Sequence, residues 1–182
     1  IEPEPGETPD PDQGNSGIID VDQYLSTLAA TPSTQLSLEY ANTVLNGAHG
    51  QPMRNLLDPG QQSLSLNTDF GRSDGNGSEG GFGLGDLSYA IGLSSGATVR
   101  LSAGSLYTEQ DLISGGNAEL EAPYFSSEVS VPVASQVYAT VSGYYAPGTI
   151  DINRGYLNGG TQDYSRGEAD VDTWAARIRL DW

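Results

Sequence analysis

Between Asp20 and Gly47 apolar residues recur at helical spacing, and from Gln62 onward they alternate with polar ones at a period of two. Asp20 with Gln23 three residues on forms a capping pair, and Val21, Tyr24, Leu25 and Leu28 repeat along one side, which predicts a short helix over 20–31. A second helix over 31–47 starts at Thr31 with Pro32 in the first helical position and stops at Asn46-Gly47. Leu36, Tyr40, Thr43 and Gly47 form one side of it, and Leu38, Asn42 and Leu45 another. That mixed stripe suits a semi-polar environment, and equally an ordinary amphipathic helix on a soluble core.

Six strands follow. Leu64, Leu66, Thr68 and Phe70 alternate with Ser63, Ser65, Asn67 and Asp69, and Leu87, Tyr89 and Ile91 continue a second strand beginning near Gly81. In the third, Ala97, Val99, Leu101, Ala103 and Tyr107 oppose Thr98, Arg100, Ser102 and Gly104. The fourth covers 117–133; its sets Leu120/Ala122/Tyr124 and Val129/Val131/Val133 are out of phase, which predicts a bulge between them. The fifth sets Val137, Ala139, Val141 and Tyr145 against Tyr138, Thr140, Ser142 and Tyr144. The sixth sets Trp174, Ala176, Ile178, Leu180 and Trp182 against Ala175, Arg177, Arg179 and Asp181.

Alternation alone fits a soluble sandwich or a membrane barrel, since each covers one face of every strand. Two features favour the barrel. The predicted strands run to about 9–12 residues, the length that crosses a bilayer at a tilt. Their connections also alternate, long polar loops (GRSDGNGSEG, TEQDLISGG, and 147–170) with tight turns (GLSSG, VASQ), as in outer-membrane barrels. An Arg on the lipid face near the midplane costs roughly 2–4 kcal/mol, so Arg100, Arg177 and Arg179 should face a lumen together with Glu128 and Asp181. Val99, Leu101, Val137, Val141, Trp174, Ile178, Leu180 and Trp182 should face lipid, the two tryptophans near opposite ends of the last strand as interface aromatics.

Composition narrows this further. The seven basic residues are all Arg against 24 acidic ones, a formal charge of −17, so nucleic acid is not expected as a partner. No apolar run approaches the ~18 residues of a membrane-crossing helix. Cysteine is absent, which excludes disulfides, thiolate metal sites and a Cys nucleophile. Residues 1–17 interleave Pro with Glu and Asp and read as a disordered acidic linker, implying that something precedes Ile1.

Two stretches carry a resemblance: SLEYANTVLNGAHGQPMRNLLDPGQQSLSLNTDFGR (37–72) and RGYLNGGTQDYSRGEADVDTWAARIRLDW (154–182). Across 31–182 the chain resembles the C-terminal translocator domain of autotransporters (type V secretion), of the kind that follows subtilisin-like passengers. The resemblance implies a mainly β fold, an antiparallel up-and-down transmembrane β-barrel in the Gram-negative outer membrane with an α-helix in its lumen. Residues 18–60 would be the helical linker and plug, with Leu36, Leu38, Tyr40, Asn42 and Leu45 on the lumen helix, and 61–182 the barrel strands. The long loops would lie outside the cell. The family's barrel has twelve strands, so six imply a truncated part, closed by strands from another copy or from missing chain. The implied partners are outer-membrane lipid, the N-terminal passenger and the barrel assembly machinery, which reads a terminal aromatic such as Trp182. Asn42 and Asn46 lie on the helix where some autotransporters cleave themselves, but the paired asparagine is missing, so cleavage is not carried over.

Chemistry in the chain is sparse. His49, the only His, lacks a nearby strained nucleophile turn such as G-x-S-x-G and reads as part of a structural turn. Asp74, Asn76, Ser78 and Glu79 resemble half a calcium loop, but Glu79 stands where the loop needs Gly. Without Lys there is no phosphate-binding P-loop. Glu119, Glu121, Glu128, Arg100, Arg177, Arg179 and Asp181 could build a lumen charge network. The expected function is export of a passenger by a non-enzymatic translocator without cofactor or metal; the alternative is a soluble secreted β-sandwich binding module, using Tyr156 and Tyr164 in the 147–170 loop.

Overall fold

The structure, a computed structural model, describes residues 19–29, 33–46, 53, 55–75, 78–112 and 114–182. The expectations for the 1–17 linker, the Thr31/Pro32 cap, the Gly47 stop, His49 and Asn76 lie outside these residues. Two helices precede one sheet: α1 (Val21–Ala29), α2 (Ser33–Asn46), β1 (Gln62–Gly75), β2 (Ser78–Gly92), β3 (Thr98–Asp111), β4 (Gly116–Ala134), β5 (Val137–Asn158) and β6 (Thr161–Asp181). The strands run antiparallel in the order β1-β2-β3-β4-β5-β6 in an open six-stranded sheet, so the up-and-down β architecture expected from the alternation is present.

The Asp20 cap forms as its spacing predicts: its Oδ1 accepts the Gln23 N–H at 3.0 Å. Gln23 does not reciprocate; its Oε1 accepts the Leu157 N–H of β5 at 3.2 Å. This contact, with the Ile19–Asn158 bridge, ties α1 to the far end of the β5–β6 hairpin. From there α2 runs along the sheet, with Tyr40 beside Phe82 and Thr108, and Leu45 beside Arg177. The chain then reaches the end with the short turns, where Gly60 N–H donates to Gly92 O and Leu57 N–H to Thr98 Oγ1. β1 starts back from that end.

Strand lengths differ from the expectation. They span 14, 15, 14, 19, 22 and 21 residues, and the long loops anticipated between them are mostly paired strand. The 147–170 segment is a hairpin in unbroken register from Pro147↔Asp172 to Asn158↔Thr161. Its two-residue turn is Gly159-Gly160, with φ of 59° and 85°, the left-handed geometry that matches the twist of the flanking strands. Hydropathy marks only where side chains are apolar; backbone pairing continues where both faces are polar and wet. The asymmetry of the connections survives as hairpins that project at one end.

The bulge expected between Tyr124 and Val129 is absent. Registry with β3 is unbroken from Gly104↔Tyr124 to Val99↔Val129, and the only shift of β4 against β5 falls between Pro132 and Ala134. The two out-of-phase apolar sets simply face opposite sides. Leu120, Ala122 and Tyr124 are buried under α2, whereas Val129, Val131 and Val133 are exposed on the bare face.

Every strand divides this way. On the helix-bearing face a core of Leu84, Leu106, Ala118, Leu120, Tyr124, Tyr144 and Ile150 meets Leu36, Tyr40, Ala41, Val44 and Leu45 of α2. The bare face carries large apolar side chains over much of its width, among them Leu64, Phe70, Leu101, Val141, Trp174 (78% exposed) and Ile178 (81%). A second layer over that face, which a sandwich would need, is absent among the described residues.

Candidate functional site

The helix-bearing face is where the molecule concentrates its polar chemistry. α2 buries Leu36, Tyr40, Ala41, Val44 and Leu45 against the sheet, each of the larger side chains contributing about 1.5–3 kcal/mol. Ala41 and Val44 belong to this stripe although the two-sided sequence reading left them out. Leu38, at 54% exposure, and Asn42, both on the helix expected in the lumen, point away from the sheet. At 3.6 residues per turn, positions 36, 40, 41, 44 and 45 form one stripe and 38, 42 and 46 another; Leu45 belongs with Leu36, not with Leu38.

Polar contacts fix the helix at two heights. Near its middle the Tyr40 hydroxyl donates to Thr108 Oγ1 at 2.7 Å, and Thr108 donates to Gly81 O at 3.1 Å. At its C-terminus, where the last carbonyls lack partners within the helix, Arg177 of β6 supplies them. Its Nη1 donates to Leu45 O and, at 3.0 Å, to Asn46 Oδ1. Its Nη2 donates to Glu128 Oε2 and to Ser142 Oγ, each at 3.1 Å. The guanidinium fork thereby joins the helix end to β4, β5 and β6 through a pair whose side chains are only 11% and 12% exposed. A cation at a helix C-terminus also meets the negative end of the helix dipole.

The other expected charges take varied positions. Arg100 stands directly opposite Glu128 in the β3–β4 ladder, and its buried Nε has no hydrogen-bond partner among the described residues. Arg179 pairs at 2.8 Å with Asp181 of its own strand, on the same face as Arg177. Glu119 and Glu121 are corrections: they share the outward parity of Phe125 on β4 and lie on the bare face, where Glu119 accepts from Asn117. Asp74 and Glu79 are opposed ladder residues of the β1–β2 hairpin.

A second cluster was missed from sequence. Asp86 Oδ2 accepts from the buried Tyr124 hydroxyl at 2.9 Å, while Oδ1 accepts from Asn67 at 2.9 Å and Ser88 at 2.8 Å. Ser88 and Ser102 share a further bond of 2.7 Å. The signal was present: Asp86 and Ser88 alternate with Leu87 and Tyr89, so period two alone sends them to the helix side. Between α2 and this polar floor, Val44, Leu45, Arg100, Ser102, Glu128 and Ser142 enclose about 20 Å³, room for one water.

With its lone pairs engaged by three donors, Asp86 is a structural carboxylate. No group of three or more His, Asp or Glu able to hold a metal occurs among the described residues. The arrangement is suited to holding a helix reversibly on a hydroxyl-rich wall. Comparison of the chain with protein-family models, curated proteins and solved structures gave no match.

Proposed function

We propose that this chain is the membrane sheet and plug of an outer-membrane translocator of the autotransporter type, which carries a polypeptide attached on its N-terminal side to the cell surface. One observation carries the reading. From Phe125 to Val133, Val137 to Tyr145 and Trp174 to Trp182 the outward positions are aliphatic or aromatic except Ser127 and Gly143, while the charged residues of these stretches, Glu128, Arg177, Arg179 and Asp181, lie on the helix-bearing face. Monomers in water rarely expose apolar patches beyond a few hundred Å²; a transmembrane barrel needs such a band, about 25 Å tall.

The course of α2 supports the same reading. It runs the helix-bearing face from the projecting hairpins to the short turns, the path of a segment that connects an exported domain to a strand starting at the periplasmic side. No bond is made or broken; transport needs a polar wall along which an extended chain can pass, and α2 then occupies that wall. In hydrocarbon each unpaired backbone group costs several kcal/mol, so the free edges of β1 and β6 require further strands, from a second copy or from more chain.

The test is cell fractionation of the full-length protein in a Gram-negative host. We expect it in the outer membrane, resistant to urea extraction, with an unheated band of faster gel mobility. A detergent-free soluble monomer would overturn the proposal in favour of a secreted binding module.

A further inference from the structure

β1 and β6 are the edges of the sheet. Proteins that stay single in water blunt such edges with proline, lysine or a bulge. Neither edge strand contains a proline or a lysine, and the sheet's register shift lies between β4 and β5. Instead the outward apolar positions continue onto both edges, as Leu64, Leu66 and Phe70 on β1 and Trp174, Ile178 and Leu180 on β6. An even number of strands leaves the two edges running in opposite directions. β6 of one copy therefore meets β1 of another antiparallel, as every neighbouring pair in the sheet already does.

The apolar band fixes their alignment. The ladder row through Ile178, the middle of the band on β6, continues through Val141, Val129, Val99 and Ile91 to Gln62. On β1 the band from Leu64 to Phe70 is centred on Asn67, five residues beyond Gln62 toward the projecting hairpins. Five residues over the five steps from β6 to β1 is one per strand. With about 3.4 Å per residue and about 4.8 Å between strands, a level band then crosses strands tilted by roughly 35°, the tilt of a barrel. One further residue at the step to a second copy sets Asn67 of one copy against Arg179 of the other. Leu66 then stands against Leu180, and Asp69 against Arg177. The total shift of six per copy is even, so inward positions meet inward ones, and an acid on one edge opposes a cation on the other.

We propose that a second copy of this chain closes the sheet about a two-fold axis into a twelve-stranded barrel with two identical β6–β1 seams. Closure by rotation pairs both edges of both copies and leaves no unpaired strand in hydrocarbon. It also gives a neighbour to the side of α2 that its own sheet leaves bare. Leu38 and Asn42 point away from that sheet, toward the axis across which the other copy's α2 runs. The inference rests on the membrane reading above and deepens it by naming the source of the further strands.

The lack of cysteine allows a direct test. Two differently tagged versions of the full-length protein, one with Leu66→Cys and the other with Leu180→Cys, are produced together in a Gram-negative host and oxidised in isolated outer membranes. We expect a disulfide-linked band of two chains that carries both tags. Replacing Leu180→Cys by Trp174→Cys, six residues out of register, should abolish the link. Asp69→Arg, which sets like charges against each other at the seam, should lower its yield about fivefold, whereas Glu109→Arg, away from both edges, leaves it unchanged. Protein that sediments with the outer membrane but forms no two-tag band, as when its own polypeptide supplies the further strands, overturns the inference and leaves the membrane reading standing. So does equal linking at 174 and 180, or a yield indifferent to Asp69→Arg. Absence of the protein from the outer membrane overturns both.

Discussion

Arg177 carries the largest consequence of any single side chain, because it serves the helix C-terminus and Glu128 together. Arg177→Met leaves a nearly buried carboxylate without its cation, and we expect a loss of roughly 3 kcal/mol. Arg177→Met combined with Glu128→Gln should lose less than the two changes separately; an additive double-mutant cycle in urea unfolding would refute the coupling. Lys at 177 should not restore stability, because a point charge cannot serve four acceptors through a planar fork. At the hairpin tip, Asp163 is held below its ordinary pKa, first by the Tyr164 backbone N–H, then by the Tyr156 hydroxyl and the Asn158 amide. The Tyr156 hydroxyl is raised in return, chiefly by its bond to that carboxylate. A depressed folded pKa stabilises above the unfolded value and is lost as pH falls through the folded one. Protection of the tip amides against hydrogen exchange should therefore drop on acidification below about pH 4. Asp163→Asn should make that protection independent of pH across the same range.

At the scale of elements, α2 and the sheet are joined by close packing as well as by polar contacts. Gly104 shows how close the ladder lies to its neighbours: a Cβ there would meet Gly85 O at 2.2 Å and Tyr124 Cζ at 2.8 Å. Gly104→Ala should displace Tyr124 from Asp86 and cost about 1–3 kcal/mol, measurable as a lower unfolding midpoint. Tyr40→Phe removes only the hydroxyl bonded to Thr108, and the expected loss is about 1 kcal/mol. α1 is held at the hairpin end by Tyr24, which meets the Tyr156 ring edge-on at 5.4 Å and lies under the Arg154 guanidinium at 4.5 Å. Its other side leaves Val21, Leu25 and Leu28 exposed.

For the whole molecule the deciding question is which medium covers the bare face. Ile178→Arg places a charge in the middle of that face, opposite Val141. In a bilayer it should cost roughly 2–4 kcal/mol, whereas a water-facing site should tolerate it within about 0.5 kcal/mol. Unfolding from lipid vesicles distinguishes the two, and a neutral result removes the membrane reading. Deleting Ser33–Asn46 from the full-length protein should raise pore conductance in planar bilayers and lower stability, since the stripe from Leu36 to Leu45 leaves the wall. Unchanged conductance would show that α2 is no plug.

The alternation of single residues by itself determined the six strands, their antiparallel succession and the face to which Arg100, Arg177, Val141 and Trp174 belong, because a period of two leaves a side chain no other choice once its neighbours are placed. It also located both helices. Tertiary structure decided the rest. Whether 147–170 is loop or hairpin depends on backbone partners that polar side chains do not reveal, so strand length was underestimated there. The phase change in β4 was read as a bulge because the pattern cannot show that one strand meets a helix at Tyr124 and presents its other side at Val129. Which side of α2 meets the sheet, and that Leu45 goes with Leu36, was decided only by docking, since a mixed stripe gives a helix no preferred orientation until a wall is present. Arg177 falls on the helix-bearing face by its alternation with Ile178, but its four acceptors come from α2, β4 and β5, segments that only folding brings within reach of one guanidinium.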